Sequence, residues 1–435
     1  VPWVLSGKSE AALRAQAGKL LDRIRQDTDT SLTDIAYSLA LTRTHFDHRA
    51  AITATHRDDY LTALEALTHN HPTTPHTTTA ETQTSPRPVF VFPGQGAQWA
   101  GMAVELLDTS PVFAARMAEC AAALEPHIDW SLIDVARGTQ GAPGLDRVDV
   151  VQPVLWAVMV SLAELWRSHG VEPAAVIGHS QGEIAAAAVA GILTLDDAAK
   201  VVALRSRAII ALAGRGGMVS LAQPATWVRE KITAWDGRIS IAAVNGPSSV
   251  VVSGDPKDLD ELVTDCQADE IRARRIDVDY ASHSAHVEEI EAELAKLLTG
   301  ITPQAGNTPL YSSLTGTLLD GTEMNADYWY NNLRETVEFE QATRTALTDG
   351  HTVFIEVSPH PVLSLGLQGT TETTGTDAAV LGTLRRDEGG LHRFHTSLAE
   401  AHVHGTTINW TTLFTDTNAT RTPLPTYAFQ RTHYW

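Results

Sequence analysis

The residues best placed to do chemistry lie in residues 178–182, whose sequence is GHSQG. A short, mainly apolar run (171–177) precedes them, and an alanine-rich stretch (184–190) follows. This order predicts a sharp turn from a strand into a helix with Ser180 at its tip. Such a turn exposes the serine hydroxyl and directs backbone N–H groups to the space above it. The pattern therefore indicates a nucleophilic serine, with a plain turn as the alternative.

A nucleophilic serine needs a base that titrates near neutrality, and histidine is the usual choice. The candidates in this sequence are His179, His283, His286 and His360. His179 adjoins the serine, so we expect its side chain to point away from the hydroxyl. His286 is most simply a residue on a helix face. No acidic third member is evident after the turn, so we expect a backbone carbonyl to orient the base.

The second residue that could do chemistry is a buried arginine. The predicted helix 195–213 has an apolar stripe, and Arg205 falls within that stripe, one turn after Val201. A guanidinium on a buried face needs an anion, and its shape fits a carboxylate with two parallel hydrogen bonds. The sequence leaves two partners open, which are a ligand carboxylate and an internal Asp or Glu.

The elements around these residues predict an α/β fold with a hydrolase-like core, a parallel sheet and a nucleophile elbow. An apolar strand near 89–92 ends in a glycine-rich turn at Gly94, which exposes backbone N–H groups. Residues 217–278 read as strand, helix, strand, strand, helix and strand, which predicts an inserted ferredoxin-like small subdomain. The first 70 residues predict a small α/β unit. Residues 72–88 are polar and predict a linker without secondary structure.

Composition excludes several classes of function. The chain has 435 residues and a formal net charge of −20, which argues against a nucleic-acid-binding surface. Its two cysteines lie far apart, so we expect neither a disulfide framework nor a metal site, and we expect a cytoplasmic protein. We identify no signal peptide and no apolar run of membrane-spanning length. The chain begins at Val1, so we expect it to be part of a longer protein.

In this order and spacing, the turn 94–96, the elbow 178–183, Arg205 and the segment 280–283 (YASH) resemble the acyltransferase domain of modular type I polyketide synthases. The resemblance covers nearly the whole chain. Residues 1–87 resemble a ketosynthase-to-acyltransferase linker domain, and 386–435 resemble a C-terminal segment and post-acyltransferase linker. Between them, 88–385 resemble the acyltransferase itself, with a large subdomain (88–216 and 279–385) and the small subdomain 217–278.

The resemblance implies roles for individual residues. Ser180 is expected to be the nucleophile and His283 its base. The backbone amides of Gln95 and Gln181 are expected to form the oxyanion hole, and both residues also line the substrate site. The family orients its histidine with a main-chain carbonyl; residues 334–339 resemble the segment that supplies it, and we expect that role near Glu338.

The resemblance further implies an extender unit of the methylmalonyl type. Arg205 is expected to bind its free carboxylate. Tyr280 and Ser282 belong to the methylmalonyl-type segment, in which a small side chain at 282 replaces the phenylalanine of malonyl-type enzymes. Gln181 and the segment 147–152 also resemble the methylmalonyl pattern. The acyl donor is then methylmalonyl-CoA, and the acceptor is the phosphopantetheine of an acyl carrier protein in polyketide (antibiotic) biosynthesis.

The resemblance also implies that the chain holds no bound cofactor and adjoins a ketosynthase domain through its linkers. Three other interpretations stay open. The first is a malonyl-specific enzyme of the same family. The second is a serine esterase or thioesterase, which should bring an acidic triad member and has no need of Arg205. The third is an inactive interaction module that docks neighbouring domains through its long flanks.

Overall fold

The computed structural model describes residues 1–71, 74–82 and 86–430. Within them the strands are β1 (Trp3–Gly7), β2 (His48–Ile52), β3 (Thr77–Glu81), β4 (Pro88–Phe92), β5 (Ala175–Gly178), β6 (Gly217–Leu221), β7 (Ile239–Gly246), β8 (Ser249–Gly254), β9 (Ala273–Ile276), β10 (Leu310–Tyr311), β11 (Leu318–Leu319), β12 (Val353–Glu356) and β13 (Ala379–Gly382). The α-helices of the same residues are α1 (Glu10–Gln26), α2 (Leu32–Thr42), α3 (Arg57–Thr68), α4 (Val104–Thr109), α5 (Pro111–Leu124), α6 (Leu132–Arg137), α7 (Val148–Ser168), α8 (Gly182–Val189), α9 (Leu195–Ile209), α10 (Ala225–Ile232), α11 (Pro256–Ala268), α12 (Glu291–Leu297), α13 (Ala326–Arg334), α14 (Phe339–Thr348), α15 (Ser364–Thr374) and α16 (Leu391–Val403).

The chain forms two compact units, of which the first comprises Val1–Pro86, Trp166–Glu172 and the segment that begins at Leu391. Its antiparallel sheet has the order β1-β2-β3, and α1 packs against α3. Helix α1 begins after Ser9, whose hydroxyl accepts a hydrogen bond from the N–H of Ala12. This cap satisfies one of the free N–H groups at the start of the helix. The α/β fold expected for the N-terminal residues is confirmed.

The prediction that residues 72–88 lack secondary structure is wrong. Strand β3 lies within this segment and pairs antiparallel with β2, with Thr79 opposite Ala50. Three of its five residues are threonine, whose branched side chain favours an extended backbone. The polar residues and prolines of residues 72–88 favour a loop, and they hide this preference for a strand in the sequence. Residues 72, 73 and 83–85 of the predicted linker, and 431–435 of the predicted C-terminal linker, lie outside the described residues.

The second unit comprises Arg87–Leu165 and Pro173–Gly390 and contains the predicted parallel sheet. Its strand order is β11-β10-β5-β4-β12-β13, in which only the short edge strand β11 runs antiparallel to its neighbour. The central strands β4 and β5 are fully buried and align Phe92 with Gly178 at their ends. Because parallel strands end at the same edge, the turns that follow β4 and β5 converge.

Strand β5 is shorter than the run predicted from residue 171. It begins at Ala175, after Pro173, whose backbone nitrogen has no proton to donate to a sheet. The N–H of Val171 instead donates to the carbonyl of Trp166, near the end of α7. Val171 therefore belongs to the exit from a helix, whereas the N–H of Ala174 already donates to the carbonyl of Pro88 in β4.

The small subdomain has the predicted ferredoxin-like fold. Its strands and helices follow the order β6-α10-β7-β8-α11-β9, and they form an antiparallel sheet in the order β7-β8-β6-β9. The buried core of this sheet includes Val219, Trp235 and Leu262. Alternating apolar residues in the strands, together with the apolar faces of two helices, produce this split βαβ arrangement.

The expectation that no run reaches membrane-spanning length is wrong for α7. This helix has 21 residues, and by length and composition it passes as a candidate span. However, 83% of its most apolar window is buried inside the protein, which is typical of a core helix. It is the one such helix among the residues that the structure describes.

Candidate active site

Ser180 lies on a strained turn between β5 and α8. Its φ is 53°, in the left-handed region that non-glycine residues rarely adopt. A Cβ atom at Gly178 or Gly182 would overlap the backbone of Glu183 or Phe92, so glycine lets the helix lie directly on the strands. The N–H of His179 donates to the carbonyl of Phe92 and ties the turn to β4. This is the geometry of the predicted nucleophile elbow.

The structure brings Ser180 and His283 together. The Ser180 Oγ lies 2.9 Å from His283 Nε2, and His283 Nδ1 lies 2.7 Å from the carbonyl oxygen of Glu335. Because a carbonyl only accepts, Nδ1 carries the proton and Nε2 is free to accept the serine proton. Burial lowers the pKa of His283 to about 3, so the imidazole is neutral near pH 7. A neutral imidazole in this tautomer is what a general base requires.

The carbonyl that orients His283 belongs to Glu335, which lies within the expected segment 334–339, but the expectation that placed it near Glu338 is wrong. Helix α13 ends at Arg334, and Glu335 leaves it with an extended backbone. Glu338 instead immediately precedes α14, where its side chain makes no capping hydrogen bond, and its N–H donates to the carbonyl of Ser313. The path of the chain out of α13 decides which carbonyl faces the imidazole, and residue type carries no signal of that path.

The other candidate histidines have different partners. His179 Nε2 lies 2.7 Å from Asn245 Oδ1, so its side chain points away from the Ser180 hydroxyl as expected. His286 Nε2 lies 3.9 Å from a carboxylate oxygen of Asp255. His360 Nδ1 accepts a hydrogen bond from the N–H of Arg386. None of these contacts places a second imidazole beside the serine.

Arg205 lies on α9 and is almost completely buried, with 1% of its surface exposed. Its Nη2 donates to Asn332 Oδ1 at 3.1 Å. Its Nε and Nη1 are buried without a hydrogen-bond partner among the described residues. Burial lowers the pKa of Arg205 to about 10, which leaves it charged at neutral pH. The described residues contain no direct ion pair to Arg205, so a ligand carboxylate is the better of the two partners left open by the sequence.

A buried amide and a buried carboxylate complete the surroundings of Arg205. Asn332, on α13, donates through Nδ2 to Glu183 Oε2 at 2.6 Å and to the Ser180 carbonyl at 3.4 Å. The other Glu183 oxygen accepts the N–H of Ser313 at 3.1 Å. Burial raises the pKa of Glu183 to about 7. Sequence reasoning gave neither residue a role, although an arginine in an apolar stripe signals that a buried partner must exist.

The remaining predicted site residues lie on two facing segments. The Tyr280 hydroxyl donates to Gln95 Oε1 at 2.9 Å, which joins the turn after β4 to the segment 280–283. Ser282 Oγ donates to the sulfur of Met218 at 3.7 Å. Gln181 is 1% exposed, and its side-chain amide has no partner among the described residues. The backbone N–H groups of Gln95 and Gln181 also donate to no acceptor among the described residues.

Comparison with known proteins decides the family. Residues 89–408 match the family model described as acyl transferase domain, and residues 3–64 match the one described as CurL-like, PKS C-terminal. The solved acyltransferase domain from module 8 of the salinomycin polyketide synthase is 57% identical, with a TM-score of 0.92 over 95% of this chain and 97% of that one. The chain belongs to the acyltransferase domains of polyketide synthases.

Longer relatives agree with this assignment. The polyketide synthase GfsA of Streptomyces halstedii is 55% identical over all of this chain and 6% of that protein. Erythronolide synthase EryA3 of Saccharopolyspora erythraea is 51% identical over 100% of this chain and 14% of that protein. The acyltransferase thus spans a small part of these relatives. The chain is an acyltransferase, and its geometry offers the Ser180–His283 pair for the transfer.

Proposed function

We propose that this acyltransferase takes a methylmalonyl unit from methylmalonyl-CoA and transfers it to the phosphopantetheine thiol of an acyl carrier protein. The observation that carries the proposal is the buried guanidinium of Arg205, whose Nε and Nη1 lack partners among the described residues. Asn332 contacts both Arg205 and the carbonyl of Ser180, so the free guanidinium N–H groups and the nucleophile belong to one site.

The reaction follows from the tautomer of His283. Ser180 Oγ attacks the thioester carbon while His283 Nε2 takes the hydroxyl proton. The backbone amides of Gln95 and Gln181 stabilise the oxyanion. The carbon–sulfur bond then breaks, and the imidazolium returns the proton to the departing CoA sulfur. In the second half, the carrier thiol attacks the acyl ester by the same steps, so the chain needs no bound cofactor.

Arg205 supplies selectivity for an acyl group that ends in a carboxylate. Leaving a buried charge unpaired costs roughly 3 to 5 kcal/mol, and a malonyl-type carboxylate removes that cost. An acetyl or propionyl group has nothing to place against the guanidinium and should load poorly. A related acyltransferase domain, that of SpnD, has been solved in complex with 2-(pent-4-yn-1-yl)malonyl; it is 26% identical, with a TM-score of 0.82 over 93% of this chain and 96% of that one.

The segment 280–283 supports selection of the α-methyl group. Ser282 is buried, and it is small enough to leave space where a phenylalanine would fill it. Tyr280 is held by its hydrogen bond to Gln95, and burial raises the pKa of Tyr280 to about 12, so the phenol stays protonated. A single methyl group is worth about 1 to 3 kcal/mol in a fitted pocket, so we expect some leakage to malonyl-CoA.

The test is a competition read by intact-protein mass spectrometry. The enzyme is mixed briefly with equal concentrations of methylmalonyl-CoA and malonyl-CoA, and Ser180→Ala is treated in parallel. We expect a dominant methylmalonyl adduct that is absent from Ser180→Ala. A dominant malonyl adduct would overturn the methyl selectivity and keep the transferase. An adduct that persists in Ser180→Ala would remove Ser180 from the mechanism.

The same experiment addresses the interpretations from other classes. Absence of any adduct together with rapid release of free acid would support an esterase or thioesterase, and absence of both would support an inert module. The structure already lacks the esterase signature at one point, because His283 Nδ1 faces the Glu335 carbonyl rather than a carboxylate.

A further inference from the structure

We propose that Asn332 and Glu183 are positioning residues that keep Arg205 charged and aimed while leaving part of its guanidinium free for the substrate carboxylate. This inference rests on the proposed function, because it assumes that Arg205 binds that carboxylate. It assigns substrate selectivity to two residues that do not themselves contact the substrate.

The hydrogen bonds fix the orientation of the Asn332 amide. Its oxygen accepts from Arg205 Nη2 at 3.1 Å, and its nitrogen donates to Glu183 Oε2 at 2.6 Å. In the opposite orientation, the amide NH2 would face the guanidinium, which only donates, and the amide oxygen would face the Glu183 carboxylate, which accepts. Both hydrogen bonds would then be lost. Asn332 is 3% exposed and Glu183 is 0% exposed, so water cannot replace these partners.

An indirect counter-charge solves a physical conflict at Arg205. A buried guanidinium without any nearby anion would be strongly destabilised. A direct ion pair would remove that cost, but a bidentate carboxylate would occupy two of its N–H directions and would have to be displaced by the substrate. Tyr280 and Glu183 both oppose the lowering of the Arg205 pKa by burial, and of the two only the Glu183 carboxyl carries charge near neutral pH, because the Tyr280 phenol stays protonated. Glu183 lies one amide away and leaves Nε and Nη1 without partners among the described residues.

The same amide also ties Arg205 to the nucleophile. Asn332 Nδ2 lies 3.4 Å from the Ser180 carbonyl, and the N–H of Glu183 donates to that carbonyl at 3.0 Å. In a malonyl-type group only one carbon separates the thioester carbonyl from the carboxylate, so the serine and the guanidinium must keep a fixed spacing. A short network of hydrogen bonds provides that spacing.

Glu356 is a matched control for the removal of a buried carboxylate. Like Glu183, it is 0% exposed, and burial raises its pKa to about 7. Its oxygens accept the N–H groups of Val362 and Leu363, at 2.7 and 3.0 Å, and the hydroxyl of Ser364. These partners belong to the chain just after β12. Glu356 therefore holds a loop, whereas Glu183 faces the network of Arg205.

The experiment compares Glu183→Gln, Asn332→Ala and Glu356→Gln in single-turnover acylation, with methylmalonyl-CoA and propionyl-CoA as the probes. The maximal rate and the half-saturating concentration are measured for each. We expect Glu183→Gln and Asn332→Ala to lower the methylmalonyl-to-propionyl preference roughly tenfold or more, the size of one charge-assisted hydrogen bond, mainly through the half-saturating concentration. Glu356→Gln should lower the melting temperature and keep the preference.

The Arg205→Ala background separates positioning from general support of the fold. There, Asn332→Ala should cause no further loss of preference. Equal losses for both acyl groups, or an additional loss in that background, would overturn the inference and leave Asn332 a structural residue. If Arg205→Ala itself keeps the preference, the proposed function fails. If only Arg205→Ala lowers it, this inference fails alone. If Glu183→Gln does not fold, Asn332→Ala alone still tests the inference.

Discussion

Two buried arginines, one in each unit, have opposite surroundings. Arg393 lies on α16 and is 7% exposed; its Nη2 contacts both carboxylate oxygens of Glu400, at 3.0 and 3.1 Å, and the hydroxyl of Ser397. Arg205 is 1% exposed, but the one acceptor that it contacts among the described residues is the neutral amide of Asn332. Arg393 thus forms an ion pair with Glu400 of the same helix. Arg205 holds its charge in place without a direct anion.

This difference teaches how to interpret a buried cation. Burial alone does not distinguish a structural arginine from one that binds a ligand, because both residues are buried and charged. What distinguishes them is whether the counter-charge lies against the guanidinium or one side chain away, as Glu183 lies behind Asn332. A protein that leaves a buried guanidinium incompletely paired accepts a cost in stability that a ligand carboxylate can offset.

The largest expected effect is on the acyl preference of Arg205→Ala. Because the substrate carboxylate loses its partner, the preference for methylmalonyl-CoA over propionyl-CoA should fall by roughly two to three orders of magnitude, the equivalent of about 3 to 4 kcal/mol. Single-turnover acylation with each donor measures this ratio. Arg393→Ala is the control and should keep the preference. An unchanged ratio in Arg205→Ala would make the two arginines alike and both structural.

A second prediction concerns stability, for which replacing Arg393 should have a larger effect than replacing Arg205. Arg393→Met keeps side-chain volume but leaves Glu400 without its cation, so we expect a loss of roughly 3 kcal/mol in the free energy of unfolding. Arg205→Met removes a buried charge that has no direct counter-ion among the described residues, but it leaves the buried Asn332 Oδ1 without its donor, so we expect a smaller loss of roughly 1 to 2 kcal/mol. Urea unfolding measures both. Greater destabilisation by Arg205→Met would show that Arg205 is the better-paired residue.

Third, the methyl-binding side of the site should respond to bulk and leave the carboxylate side unchanged. Tyr280→His combined with Ser282→Phe fills the space beside His283 and should shift selection from methylmalonyl-CoA toward malonyl-CoA by about 10 to 200-fold. The competition experiment measures this shift. The preference for carboxylated over uncharged donors should persist, since Arg205 is unchanged. If it is lost as well, the two selectivities are not separate.

The smallest expected effect is a pH dependence. With a pKa of about 3, His283 stays neutral between pH 5 and 8, so the maximal acylation rate should be flat there. Glu183, with a pKa of about 7, gains a proton as the pH falls below 7 and loses the charge that supports Arg205. The half-saturating concentration of methylmalonyl-CoA should therefore rise from pH 8 to pH 6, and Glu183→Gln should abolish this rise. A limb in the maximal rate near pH 6.5 would contradict the neutral histidine.

Much of the fold was predictable because local patterns carry it. The order of strand and helix patterns in residues 217–278 indicated the small subdomain, and the first 70 residues indicated an α/β unit. The turn around Ser180 was equally predictable, because two flanking glycines, a preceding strand pattern and a following helix pattern occur together there. The prediction failed at β3, where a threonine-rich strand depends on its partner β2, and at α7, where a buried core helix is as long and as apolar as a membrane span although scattered polar residues interrupt it.

The candidate site was predictable only where residue type encodes the role. Ser180, His283 and Arg205 have side chains that perform chemistry, and the sequence singled them out. The orienting carbonyl at Glu335 belongs to the backbone, so no side chain marks it. Asn332 lies 127 residues from Arg205 in sequence, and only the packing of α13 brings its amide to the guanidinium. Such a contact becomes visible when the fold is known.

The measurement that tests the central claim most directly is a crystal structure of the methylmalonyl ester of Ser180, trapped by soaking crystals with methylmalonyl-CoA and cooling them. We expect the free carboxylate within hydrogen-bond distance of Nε and Nη1 of Arg205, with Nη2 still bound to Asn332. A carboxylate that points into solvent, or one that is bound elsewhere while Arg205 keeps its present surroundings, would contradict the account.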